Sequence, residues 1–152
     1  MPEKRLRVLF LCTANSARSQ VAEAVLRQLS HGTIEVASAG SEPASEIHPM
    51  ALEALRKLNI PAAGQHPKSM DGFLRQRFDY VITVCDRAAE RCPIFPGDPE
   101  RIHWSVEDPA SVAGTPEERQ RSFDVVAKQL MNRIRTWLSL PAIAQRASVA
   151  RS

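Results

Sequence analysis

Arg7-Val8-Leu9-Phe10-Leu11, followed by Cys12-Thr13-Ala14-Asn15-Ser16-Ala17-Arg18-Ser19, decides how this chain reads. The first stretch is continuously apolar from Val8 to Leu11, without the alternation of a half-exposed strand, so it predicts a strand buried on both faces of a parallel sheet. The second is small and polar and predicts a loop. Beyond it Val21, Val25 and Leu29 recur every four residues, with Ala22 and Leu26 widening the stripe, which predicts a helix stopped by Gly32. In a strand-loop-helix unit the loop can curl so that its backbone N–H groups point inward, and the helix N-terminus adds positive potential at the same point. Such a nest, residues 13–19, takes a tetrahedral oxyanion. Arg18 offers two anion oxygens a planar fork. A cysteine at the mouth of the nest has its thiolate stabilised by the N–H groups, by Arg18 and by the Ser19 hydroxyl, so Cys12 is expected to be a thiolate at neutral pH. The competing reading of Cys12 is a small hydrophobe that finishes the strand.

Outward from this unit, Thr33 to Ser38 predicts a second strand closed by a turn at Ala39-Gly40-Ser41. His48-Pro49 opens a helix carrying Ala51, Leu52, Leu55 and Leu58, which ends before Pro61. A helical turn is expected between Ser69 and Gln76, a strand at Tyr80-Val81-Ile82-Thr83-Val84, irregular chain from Pro93 to Pro99, and a last short strand at Ile102-His103-Trp104. Thr115-Pro116-Glu117-Glu118 combines an N-cap Thr, a first-turn proline and a glutamate at the third helical position. The helix it starts runs to about Leu138, with Phe123, Val126, Leu130, Ile134 and Trp137 as its apolar stripe. Residues 141–152 carry no strong pattern and are expected to be a flexible tail behind a single domain of residues 1–140. Strands alternating with helices predict an α/β fold with an open, mainly parallel sheet flanked by helices. Ligands of such sheets bind at the carboxyl ends of the strands, where Cys12 and Cys85 both fall.

Composition narrows the function. The 152 residues are 43% hydrophobic and 24% charged, with a formal charge of +3. No apolar run is long enough to span a bilayer, and Val8 to Cys12 is shorter than a signal-peptide core, so a cytoplasmic protein without membrane contact is expected. Sixteen of the 20 basic residues are arginine, which suits a small oxyanion, whereas 5% aromatics and no basic block argue against nucleic acid. Arg75, Arg77 and Arg91 could steer an anion or a partner, or form an ordinary solvated face. Three cysteines in a chain without an export signal leave burial, metal binding or thiol chemistry. Zinc is disfavoured: six residues separate Cys85 from Cys92, and His31, His48, His66 and His103 include no closely spaced pair. No metal and no organic cofactor are expected, and the chain is expected to be a monomer.

The run from Val8 to Ser19, with Ser38-Ala39-Gly40, His48-Pro49 and Asp108-Pro109 in order behind it, resembles the low-molecular-weight protein tyrosine phosphatase fold over roughly residues 6–138. The resemblance implies Cys12 as nucleophile, Arg18 as anion clamp, Asn15 and Ser19 as loop-ordering residues, and Asp108 as general acid. Cys85 to Cys92, the Cys92-Pro93-Ile94-Phe95-Pro96-Gly97 stretch and the later His-Trp and Glu-Asp-Pro resemble the thioredoxin-coupled arsenate reductases built on that fold. That implies a relay in which Cys12 attacks arsenate, Cys85 attacks Cys12, and Cys92 attacks Cys85 to leave a disulfide for thioredoxin or another thiol reductant. An aryl phosphatase using Cys12, Arg18 and Asp108 is the alternative, although Ala110 stands where phosphatases of the fold carry an aromatic. A non-catalytic oxyanion-binding or redox-sensing module is a third reading. Some relatives order the loop with a potassium ion; Lys68 either supplies that charge directly or is a solvated loop residue.

Overall fold

A computed structural model describes residues 5–151, so residues 1–4 and 152, expected as chain ends of the domain and tail, lie outside it. Four parallel strands, β1 (Leu6–Cys12), β2 (Ile34–Gly40), β3 (Tyr80–Thr83) and β4 (Glu100–His103), form one sheet in the order β2-β1-β3-β4. Helices α1 (Arg18–Leu29), α2 (Pro49–Lys57), α3 (Asp86–Glu90), α4 (Pro116–Leu138) and α5 (Pro141–Arg151) connect and cover it. The α/β fold with a parallel sheet flanked by helices is the one expected from the alternating pattern.

Strand β1 sits between β2 and β3, and Val8, Leu9, Phe10 and Leu11 are all buried, as a strand covered on both faces requires. The chain leaves β1 first toward β2 and later toward β3. The crevice beyond the carboxyl end of β1 is therefore the point where the winding reverses, the usual ligand site of an open parallel sheet. Helices α1, α2 and α4 pack on one another, and Phe123, Val126, Leu130, Ile134 and Trp137 are all buried on α4, on the stripe read from the sequence. The cap of α4 also forms as expected: the Glu118 N–H donates to Thr115 Oγ1 at 3.1 Å, and the Thr115 hydroxyl donates to Glu118 Oε1 at 3.1 Å.

Three local expectations are corrected. Ala39 and Gly40 are not a turn but the end of β2, because Leu11 pairs with Ala39 and Cys12 with Gly40, and the Gly40 N–H is taken by the Lys68 carbonyl at 2.9 Å. The strand at Ile102 begins two residues earlier and ends at His103, in register with β3. The segment expected as a tail forms α5, started by Pro141 at the first helical position and anchored by Ile143, which is 2% exposed. Among the α5 side chains that are described, one buried isoleucine and a partly buried Ala147 are too little periodicity to be seen in the sequence. Among the described residues no helix is long and apolar enough to cross a membrane.

Candidate active site

The loop between β1 and α1 is ordered from its outside. Thr13, Ala14 and Ser16 turn their carbonyls outward, where they accept from the N–H groups of Glu42, Ala44 and His48, each at 2.9 Å. The Asn15 carbonyl accepts from Gln20 Nε2 at 3.0 Å, and the Ala17 carbonyl accepts the N–H of Val21 in α1. Carbonyls committed to the outside are what an oxyanion nest, with its amides turned inward, requires of this loop.

Asn15 is the pivot of this loop. It is completely buried and holds φ at 49°, a left-handed conformation that asparagine tolerates better than most residues. Its Nδ2 donates to Ser19 Oγ (2.8 Å) and Ser38 Oγ (2.9 Å), while its Oδ1 accepts from Gln20 Nε2 (3.0 Å) and the Lys68 N–H (2.9 Å). All four bonding positions of the amide are used, so the loop cannot move without uncoupling β2, α1 and the 65–68 segment together. Ser38 passes the network on, donating to Glu23 Oε1 at 2.6 Å.

Glu23 is 3% exposed, an expensive place for a carboxylate, and is balanced by Arg27 Nη2 at 2.5 Å and Lys68 Nζ at 3.6 Å. Lys68 is thus the charged partner behind the loop rather than a solvated residue. Two cations already on this carboxylate do not fit a further bound potassium ion there. Among the described residues no group of three His, Cys, Asp or Glu side chains is placed to hold a metal.

Cys12, Thr13, Ala14, Ser16, Ala17, Arg18, Cys85, Asp86, Arg87, Asp108 and Ala110 line a cleft of about 500 Å³ at the mouth of the loop. The structure brings Cys12, Arg18, Cys85 and Asp108 together as the sequence led one to expect. Cys92 is not among the lining residues; it is half-buried past the end of α3, its thiol donating to its neighbour's carbonyl, Pro93 O, at 3.7 Å. Asn15 and Ser19 stand behind the cleft rather than in it, both fully buried. Arg18 Nη1 donates to the Val106 carbonyl at 2.9 Å, a tether that aims the guanidinium. Asp108 caps a short 3-10 turn at Pro109–Ser111, Oδ1 accepting the Ala110 N–H at 3.0 Å.

Cys12 and Cys85 are both 5% exposed and line the same cleft, where their thiols influence one another's ionisation. Cys85 caps α3, accepting the Ala88 N–H at 3.4 Å, and lies 3.5 Å from Thr13 Oγ1. The Cys12 thiol, then the Thr13 hydroxyl, the Ala88 N–H and Arg18 hold Cys85 well below the usual thiol range despite burial. Cys12 is pushed up by the neighbouring Cys85 and by burial, against the pull of Arg18 and the Thr13 amide. Cys12 and Cys85 thus titrate as a coupled pair rather than as independent thiols, so the thiolate expected on Cys12 shares its charge with Cys85. In Cys12→Ala, which deletes the neighbouring thiol with the largest influence on Cys85, iodoacetamide labelling of Cys85 is expected to need a pH at least one unit higher. An unchanged labelling profile would remove Cys12 as the cause.

Two features went unread in the sequence. One is Gly40, where an added Cβ would overlap the Thr13 carbonyl oxygen and stand 3.1 Å from Asn15 Cβ. The other is His103, whose Nε2 bonds Asp86 Oδ1 at 2.9 Å beside the cleft. Both depend on which strand lies across from which, and no local pattern reports that.

Residues 7–149 match the low molecular weight phosphotyrosine protein phosphatase family. The arsenate reductase of Halalkalibacterium halodurans is 38% identical over 130 residues, 86% of this chain and 93% of that protein. A solved arsenate reductase in its oxidized state superposes with a TM-score of 0.74 at 28% identity, over 92% of this chain and 98% of that one. The thioredoxin-dependent arsenate reductase of Corynebacterium glutamicum superposes with a TM-score of 0.64 at 32% identity, over 90% of this chain and 65% of that one. The chain belongs to the low molecular weight phosphotyrosine protein phosphatase family and stands with those of its members named arsenate reductases.

Proposed function

We propose that this protein reduces arsenate to arsenite through a relay of Cys12, Cys85 and Cys92. The observation that carries the reading is the second thiol: Cys85 is buried and lines the same cleft as Cys12. A thiolate in an oxyanion nest suffices for phosphoryl transfer, but a second thiol beside it is what a two-electron reduction requires. The lining of the cleft also contains no aromatic side chain that would hold an aryl phosphate, which favours an inorganic oxyanion.

Arsenate binds in the nest of residues 13–19, two of its oxygens on the Arg18 fork. The Cys12 proton passes to Cys85, and Cys12, its thiolate stabilised by the nest and Arg18, attacks arsenic while Asp108 protonates the oxygen that leaves as water. Cys85 then attacks Cys12 Sγ. The Cys12–arsenic bond breaks, its electron pair stays on arsenic, and arsenite departs from a Cys12–Cys85 disulfide. Cys92 attacks Cys85, freeing Cys12 and leaving a Cys85–Cys92 disulfide, which thioredoxin or a similar thiol reductant returns to two thiols. A relay of free thiols works in a reducing compartment, consistent with the cytoplasm.

The test is the intact mass of fully reduced, reductant-free protein before and after anaerobic arsenate, with phosphate as control. Loss of two hydrogens with arsenate alone, mapped to Cys12–Cys85 or Cys85–Cys92, is expected. An unchanged mass overturns the reading.

A further inference from the structure

Helix α3 separates the two cysteines that must meet. Cys85 is its N-cap and Cys92 lies two residues beyond Glu90, its last residue. With a rise of about 1.5 Å per residue, a helical path holds their Cα atoms about 10 Å apart, whereas a disulfide needs about 4.4–6.8 Å. The Cys85–Cys92 disulfide therefore forms only when α3 unwinds. Anything that holds the first turn of α3 in place favours the dithiol over the disulfide.

Asp86 is the first residue of that turn, and two side chains from outside the helix hold it, one of them braced by a third. His103, the last residue of β4, meets Asp86 Oδ1 through Nε2 at 2.9 Å, and Ser105 Oγ donates to the same oxygen at 3.3 Å. His103 Nδ1 meets Thr83 Oγ1 at 2.8 Å on the neighbouring strand β3. An ionised Asp86 has no proton to give, so Nε2 donates to it. In the neutral imidazole Nδ1 then accepts from the Thr83 hydroxyl, and the ring is fixed at both ends. Asp86 is adjacent in sequence to Cys85 and lines the cleft beside it. The Asp86 side chain is 78% exposed, so its hold on the helix comes from this directed set of bonds and not from burial.

We infer that the Thr83–His103–Asp86–Ser105 chain is a latch that holds the first turn of α3 and so sets the balance between the Cys85, Cys92 dithiol and its disulfide, with His103 the positioning residue. The inference rests on the relay proposed above. In the reduced protein the latch is closed and Cys85 keeps its cap on Ala88. Attack by Cys92 on Cys85 requires the latch to open, because Asp86 must leave His103 as the turn unwinds. The bonds lost to the disulfide form are the ones that stabilise the dithiol. A weaker latch thus makes the disulfide easier to form and harder for a reductant to remove.

The experiment isolates this equilibrium from arsenate chemistry. In full-length Cys12→Ser protein only Cys85 and Cys92 remain, and in a glutathione buffer they exchange so that the dithiol plus glutathione disulfide gives the protein disulfide plus two glutathione thiols. The ratio is read by acid quench, alkylation and mass. His103→Ala in this background is expected to raise the equilibrium constant for the protein disulfide about three- to tenfold, the range of a few partly exposed hydrogen bonds. Asp86→Ala is expected to do the same, and the double variant to exceed neither single one, since both remove one interaction. Thr83→Val, of equal volume in the strand, is expected to shift the ratio in the same direction and keeps the test available where His103→Ala does not fold. If the disulfide forms but His103→Ala and Thr83→Val leave its constant within twofold of the parent, the latch is refuted and the relay stands. If the parent forms no Cys85–Cys92 disulfide at any poise, the relay fails and takes the latch with it.

Discussion

Cys85→Ser is expected to lower steady-state arsenate reduction with a protein reductant by about 10⁴-fold or more, the scale on which removing one member of a group acting as a unit stops a reaction. The serine keeps the volume of the thiol but cannot form a sulfur–sulfur bond, so no electron pair reaches arsenic. Cys92 cannot take over, because it is not among the residues lining the cleft and the length of α3 stands between it and the loop. Cys92→Ser should behave differently. It retains both thiols of the cleft and is expected to release one arsenite per protein molecule and then stop, trapped as the Cys12–Cys85 disulfide. Rapid quench with arsenite quantification separates the two, giving no arsenite for the first variant and one equivalent for the second. Multiple turnovers by Cys85→Ser at a rate within tenfold of the parent would show that Cys85 is not the resolving thiol.

Gly40→Ala is expected to lower arsenate kcat/KM by about 10²-fold or more although Gly40 does not itself line the cleft, because small displacements of reacting groups cost on that scale. Gly40 pairs with Cys12 across β1 and β2, and its missing side chain is what allows the loop to pass so close. A methyl group there meets the Thr13 carbonyl oxygen and the Asn15 side chain, which belong to backbone and to a fully bonded amide and have nowhere to go. The overpacking should also lower unfolding stability by about 1–3 kcal/mol, measured in urea. Gly72→Ala is the matched control: nothing lies within 4 Å of its added Cβ, and stability should stay within about 0.5 kcal/mol of the parent. Equal kinetics for Gly40→Ala and the parent would mean that the loop is not held from β2.

Much of the site was legible because it is local. Cys12, the nest and Arg18 follow one another within one strand-loop-helix unit, and the apolar run of β1 and the four-residue repeat of α1 frame them without help from the rest of the chain. The same holds for α4, where Thr115, Pro116 and Glu118 mark the start and the stripe from Phe123 to Trp137 marks the buried face. The tail was illegible for the opposite reason: α5 is held by Ile143 and carries little amphipathic pattern. The end of β2 was misread because Ala39-Gly40-Ser41 has turn composition. Its strand geometry comes from pairing with Leu11 and Cys12, and the strongest local propensity yields to a neighbouring strand.

By itself, then, the amino-acid sequence determined the alternating α/β architecture and the strand-loop-helix unit that carries Cys12 and Arg18, since periodicity, small-residue loops and caps act over a few residues. The tertiary structure decided which of those residues meet. Parallel pairing of β1 with β3 brings Cys85 to the same cleft as Cys12, and this couples the ionisation of the two thiols. Pairing of β1 with β2 and the approach of the 65–68 segment join Asn15, Ser38, Glu23 and Lys68 behind the loop. Pairing of β3 with β4 carries His103 to Asp86. A side-chain pattern records the face that a segment buries, while the identity of the segment across from it is set by strand order and register, which exist only once the chain has folded.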